Sequence, residues 1–69
     1  MKSGVECEYF LISQDGSSIA DPRDIQSKPC YDQSALMRRY DLIKEICDSM
    51  IEMGWNPYQN DHEDANGQF

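Results

Sequence analysis

Sixty-nine residues make at most one domain, near the lower limit at which a hydrophobic core offsets chain entropy without disulfides or metal. Hydrophobic residues at 39% and charged residues at 28% suit a globular domain and are too apolar for a disordered tail. The net charge of −7, from 13 acids against 6 bases, argues against nucleic acid and anionic membranes as partners and favours cations.

No apolar run approaches the roughly 20 residues of a membrane span, and the opening MKSGVECEYF lacks the layout of a signal peptide, so the expected location is the cytoplasm. Cys7, Cys30 and Cys47 are odd in number and widely spaced, which fits free thiols in a reducing compartment rather than a disulfide framework or a CxxC site.

The first element is VECEYFLI, Val5 to Ile12, rich in β formers. Its alternation puts Val5, Cys7, Tyr9 and Leu11 on an apolar face, and Glu6, Glu8, Phe10 and Ile12 on the other. The turn SQDGSS follows, because Asp15-Gly16 favours positive φ, and Ser18 to Ala20 are expected to return as a short hairpin arm. Residues 21 to 34, DPRDIQSKPCYDQS, hold two prolines and no clear period, which predicts a long loop.

From Ala35 to Met53 the apolar residues Leu36, Met37, Tyr40, Ile43, Ile46, Cys47, Met50 and Ile51 follow the spacing of one amphipathic helix. Ser34 or Asp32 caps its start, Gly54 is its C′ residue, and its stripe is expected to pack on the Val5, Cys7, Tyr9 and Leu11 face. WNPYQNDHE then alternates roughly as a second strand, with Pro57 near its edge or start. The predicted fold is α+β: a β-α-β unit with a short hairpin arm, the helix covering one sheet face and the other left bare.

Two glutamates at i and i+2 on one strand face are costly, since like charges on neighbouring positions repel. A solvent-facing sheet surface explains them blandly; a divalent cation site explains them more sharply, because hard cations take carboxylate oxygens. The ending HEDANGQF fails the calcium-loop pattern, with His62 where an Asp is required. His62 has no second histidine at metal-ligand spacing and reads as an ordinary exposed side chain. There is no Gly-rich phosphate loop, nucleophile elbow or CxxC, so the chain alone lacks a catalytic set.

GVECEYFLI, KPCYD, the helix ending MGW, and DHEDANGQF resemble, in that order, consecutive landmarks of the glutamine synthetase catalytic domain. That family has a Glu-x-Glu strand, a long loop with a Pro-Tyr-Tyr or Gly-Tyr-like element, a helix ending in Gly, and a glutamate ahead of Gly-Gln-x-Glu. The matching residues are Glu6 and Glu8, Pro29 to Tyr31, Gly54, and Glu63 before Gly67, Gln68 and Phe69. The last stretch is most similar to the branch that includes γ-glutamylmethylamide synthetases.

The resemblance implies that residues 1–69 are a single partial domain, excised from the glutamine synthetase catalytic barrel and inactive alone. It implies a parent that joins glutamate to ammonia or an amine using ATP and Mg²⁺ or Mn²⁺, and that forms a homo-oligomer. By the same match Glu8 and Glu63 hold the metal near glutamate, Glu6 holds the metal near the ATP phosphates, and Gln68 lies close by. Asp61 and His62 carry no ligand role over from the family. Its next metal glutamate would follow Phe69, so the chain is expected to be cut there. The alternative is a small acidic module for protein interaction or cation binding.

Overall fold

A computed structural model describes all residues, Met1–Phe69. Two helices form, α1 from Gln33–Met37 and α2 from Tyr40–Glu52, where the periodicity predicts one. Asp32 caps α1, its Oδ1 accepting the Ala35 N–H at 2.8 Å. The C-terminus of α2 closes as expected at Gly54, whose φ of 81° lies in the left-handed region that glycine enters without a Cβ penalty. There the Gly54 N–H reaches the Ile51 carbonyl and the Trp55 N–H the Met50 carbonyl, the paired bonds of a Schellman motif.

The break at Arg38 and Arg39 has a partner outside the helix. Arg38 Nε donates to Asp21 Oδ2 at 2.5 Å, and Arg39 Nη2 stands 3.7 Å from Asp21 Oδ1. A continuous helix turns about 100° per residue and would point consecutive arginines apart. The irregular step at Arg39, φ −111° and ψ 18°, lets both reach one buried carboxylate.

The β-α-β expectation needs correction. No strand extends beyond isolated pairings, Phe10 with Gln68 and Ile12 with Ile19, and both are antiparallel. Segment 9–13 pairs along one edge with two short partners placed end to end. Residues 67–69 lie against 9–11 through Tyr9 with Phe69 and the Leu11 N–H to Gly67, while 18–20 lie against 11–13 through Ala20 to Leu11 and Ser13 to Ser18. The hairpin arm therefore forms where the Asp15-Gly16 turn predicts it. Asp15 Oδ1 accepts from the Ser13 hydroxyl and from both the N–H and hydroxyl of Ser17, which holds its carboxyl down at about 2.

The predicted second strand over 55–63 does not pair with the first. Instead the chain reverses at 65–68, where the Gln68 N–H bonds to the Ala65 carbonyl and Gly67 takes φ 79°. That is the turn chemistry of Asn-Gly with a glycine at the third position. The reversal presents 67–69, rather than 55–62, to segment 9–13.

Burial departs from the expected helix-on-sheet core. Only 8 of 69 residues are buried, and Asp21, Asp24 and His62 are among them beside Ala35, Ile43 and Phe69. Ile43 is the one position of the α2 stripe that is fully covered; Leu36, Ile46, Cys47 and Met50 are half-buried, while Met37, Tyr40 and Ile51 are exposed. Val5 is 96% exposed and Cys7 is exposed, so the apolar strand face stays uncovered at its start. All three cysteines are free, as expected. No helix is long and apolar enough to cross a membrane.

Candidate functional site

The antiparallel pairing of Tyr9 with Phe69 puts Glu8, Phe10 and Gln68 on one side, since side chains alternate across a strand. Gln68 Nε2 accordingly donates to Glu8 Oε2 at 3.0 Å. Glu63 is brought alongside by the turn, its N–H bonding to the Gln68 carbonyl at 2.9 Å. Burial pushes the Glu63 carboxyl up from its ordinary value, and the charges of Glu8, Asp64, Glu6 and Asp61 push it further. The three sequence-predicted glutamates thus share one negative field. They do not close into a ligand shell: no group of three His, Cys, Asp or Glu side chains stands close enough to hold a metal ion. Glu6 and Glu8 are exposed, as are Phe10 and Ile12 on the same face.

Behind this face lies a polar network that sequence reasoning missed. His62, expected to be exposed, is 0% exposed, and its Nε2 donates to Asp24 Oδ2 at 2.6 Å. Its Nδ1 lies 2.7 Å from the Glu63 carbonyl oxygen. Both ring nitrogens therefore lie within hydrogen-bond distance of an oxygen, the Asp24 carboxylate on one side and the Glu63 carbonyl on the other. Phe69 packs on the ring at 4.9 Å between centroids.

Asp24 gathers donors from far along the chain. Its Oδ2 also accepts the Gly67 N–H at 2.7 Å, and its Oδ1 accepts from Gln26 at 2.9 Å and Asn66 at 3.1 Å. Burial raises the Asp24 carboxyl, but the bonds from His62, Gly67 and Asn66 outweigh it and leave the group below its usual range. Asp21 follows the same pattern: burial opposes its charge, and Arg38, the Arg23 N–H and Arg39 overcome it, holding the carboxyl at about 2. Nothing in local periodicity couples Asp24 to His62, 38 positions later. The available signal is compositional, a second aspartate three residues after Asp21 in a loop too long to be a simple connector.

Tyr31, in the KPCYD element, adopts φ 62°, a left-handed conformation uncommon for a bulky residue. Its N–H bonds to the His62 carbonyl at 2.8 Å, so the loop is tied to the same segment from the other side.

The chain is 71% identical over all 69 residues to glutamine synthetase of Rhizobium meliloti (strain 1021), spanning 16% of that relative, and matches the Rhizobium leguminosarum bv. phaseoli glutamine synthetase equally well. It is 44% identical to the glutamate–methylamine ligase of Methyloversatilis universalis over 97% of its own length and 16% of that protein. Among solved structures, GmaS in complex with ADP superposes on 90% of the chain with a TM-score of 0.86 and 71% identity, the chain covering 14% of it. GmaS without ligand gives the same score over 15% of its length. No family model matches. The resemblance to the glutamine synthetase family, with its glutamate–methylamine ligase relatives, is therefore shown for the stretch that this chain spans, about one sixth of those proteins.

Proposed function

We propose that this chain is a partial domain of an ATP-dependent glutamate–amine ligase of the cytoplasm, to which it contributes metal-binding glutamates. The observation that carries the proposal is the 71% identity sustained over every residue. Glu8 and Glu63 would hold the divalent ion near glutamate, and Glu6 the ion near the ATP phosphates. The donor chemistry fits: all three are carboxylates, which suit Mg²⁺ or Mn²⁺. The Glu63 carboxyl is raised by burial first and by the charges of Glu8, Asp64, Glu6 and Asp61 after it, and a cation would relieve the part due to those charges. Bound there, the ions would neutralise charge on the transferring phosphoryl group.

The chain's own residues present the carboxylates. Gln68 steadies Glu8, and the Glu63 backbone is held at its N–H by Gln68 and at its carbonyl by His62. The open edge of segment 9–13, where the Phe10 and Ile12 amides donate to no backbone partner, suits a neighbouring strand of a larger sheet. In that setting segments 9–13 and 67–69 would extend into strands of the catalytic barrel, and the parent would be a homo-oligomer. The uncovered Val5, Ile25, Trp55 and Tyr58 fit the same setting. A free-standing acidic module for protein interaction or cation binding would use the same bare edge and net charge, and the identity over the whole chain favours the ligase reading over it.

Mn²⁺ titration monitored by backbone NMR tests the metal assignment. Binding in the millimolar range is expected, with broadening that begins around residues 6 to 8 and 62 to 64. Broadening that begins at Asp15, Asp41 or Asp48 instead would make the effect generic acidity. The chain by itself should release no phosphate from ATP with glutamate, an amine and Mg²⁺; release above a buffer control would refute its incompleteness.

A further inference from the structure

The buried network behind the carboxylate face has a geometry that the proposed function does not use. Asp24 sits in the loop after the hairpin arm, yet its two oxygens accept four hydrogen bonds, three from the 62–67 segment or its neighbours across 38 to 43 positions of chain. One oxygen, Oδ2, takes His62 and Gly67, the two ends of the turn that carries Glu63. His62 then passes the constraint on, its Nδ1 bonding to the Glu63 carbonyl. Asn66 adds a bond to the Gln26 carbonyl, which locks the turn to the loop a second time.

We propose that Asp24, acting through His62 and Gly67, is a positioning residue that fixes the Glu63 peptide and the Gln68 side chain opposite Glu8, and so sets the affinity of that carboxylate face for a divalent cation. The inference rests on the metal reading above. It follows from where the bonds end. A carboxylate on a flexible six-residue turn would lose conformational entropy on ligating an ion, whereas one whose flanking N–H and C=O are already bonded has lost that freedom in advance. Asp24 is well suited to the task because a carboxylate alone accepts at both oxygens. An amide there would turn a donor toward either the His62 and Gly67 pair or the Gln26 and Asn66 pair. Groups that bond directly to a metal-binding residue commonly change metal affinity 10- to 100-fold when altered; His62 stands in that position toward the Glu63 backbone, and Asp24 holds His62 one bond further out.

The test uses the full-length protein that carries this chain, with Mn²⁺ as probe and free ion measured by electron paramagnetic resonance, alongside kcat and KM. Asp24→Asn should raise the Mn²⁺ Kd tenfold or more, lower the melting temperature because the buried His62 and Gly67 donors lose a charged acceptor, and let kcat recover at saturating Mn²⁺ below that temperature. Glu63→Gln, which removes a proposed ligand, should raise the Kd without recovery of kcat. A Kd within twofold of the parent for Asp24→Asn, while Glu63→Gln weakens binding, overturns the positioning role and leaves the metal reading standing. An unchanged Kd in both overturns the metal reading and this inference with it. Should Asp24→Asn fail to fold, His62→Gln decides the matter, since it keeps a donor toward Asp24 but gives up the Glu63 carbonyl. The same rise in Kd is expected, and a Kd within twofold overturns the proposal. Asp21→Asn weakens the other buried carboxylate network, which makes no bond to the 62–68 segment; an equal rise there would mean that the buried networks only hold the fold, which also overturns it.

Discussion

Gly67→Ala is the most demanding single perturbation that the structure defines. Gly67 has φ 79°, where an L residue is strained by about 1–2 kcal/mol. A Cβ built there would stand 2.7 Å from Ile19 Cγ2 and 2.9 Å from Ile19 Cβ, closer than real contacts allow, while the Leu11 carbonyl oxygen at 3.5 Å is in ordinary contact. Overpacking of this kind adds about 1–3 kcal/mol. The expected cost is therefore about 2–5 kcal/mol, comparable to everything that a core of this size supplies, about 3–5 kcal/mol. Urea unfolding followed by far-UV circular dichroism, in a stabilising osmolyte so that the variant stays measurable, reads the difference. Ile19→Gly removes both close atoms, so the double variant should be less destabilised than the sum of the singles by about 1–2 kcal/mol, the relieved overpacking, with the backbone strain remaining. A Gly67→Ala cost below about 0.5 kcal/mol, or strict additivity with Ile19→Gly, would refute the packing of the hairpin arm against the turn.

Acid should destabilise the chain. Asp21, at about 2, and Asp24, also lowered, are depressed in the folded state, so their contribution is complete above about pH 4 and is lost as pH falls toward 2; Glu63, shifted up, acts in the opposite sense, and a urea midpoint that does not fall between pH 5 and pH 2.5 would contradict the two buried pairs. Ile43→Ala, at a position 8% exposed, should cost about 2–4 kcal/mol, whereas Lys44→Ala, which removes only the exposed ion pair to Asp48, should leave the melting temperature almost unchanged; equal shifts would mean that α2 buries another face. Asp32→Ala should cost about 1 kcal/mol through the lost cap and accelerate hydrogen exchange at the Ala35 amide, with unchanged exchange there showing that α1 does not depend on it.

Local chemistry made several features legible in the sequence. The Asp32 cap, the Gly54 stop and the Asp15-Gly16 turn each depend on bonds spanning a few residues, and each forms as the residue types require. The order of motifs carries the family resemblance, and it is that resemblance rather than local chemistry that sets Glu63 beside Glu6 and Glu8. What only the tertiary structure decided depends on partners far apart in the chain. The apolar stripe from Leu36 to Ile51 predicts one helix, and the break at Arg38 and Arg39 exists because Asp21, 17 residues before Arg38, draws both guanidinium groups. Alternation allowed residues 55–63 to be a strand, but the Asn66-Gly67 reversal gives the pairing to 67–69. The same long-range logic hid His62. Its neighbours in sequence are acidic and polar, which predicts exposure, while the carboxylate that buries it lies 38 residues earlier. Periodicity encodes which face of an element is apolar; it carries no record of which distant charge will meet a given side chain, because that is settled only when the chain closes around the pair.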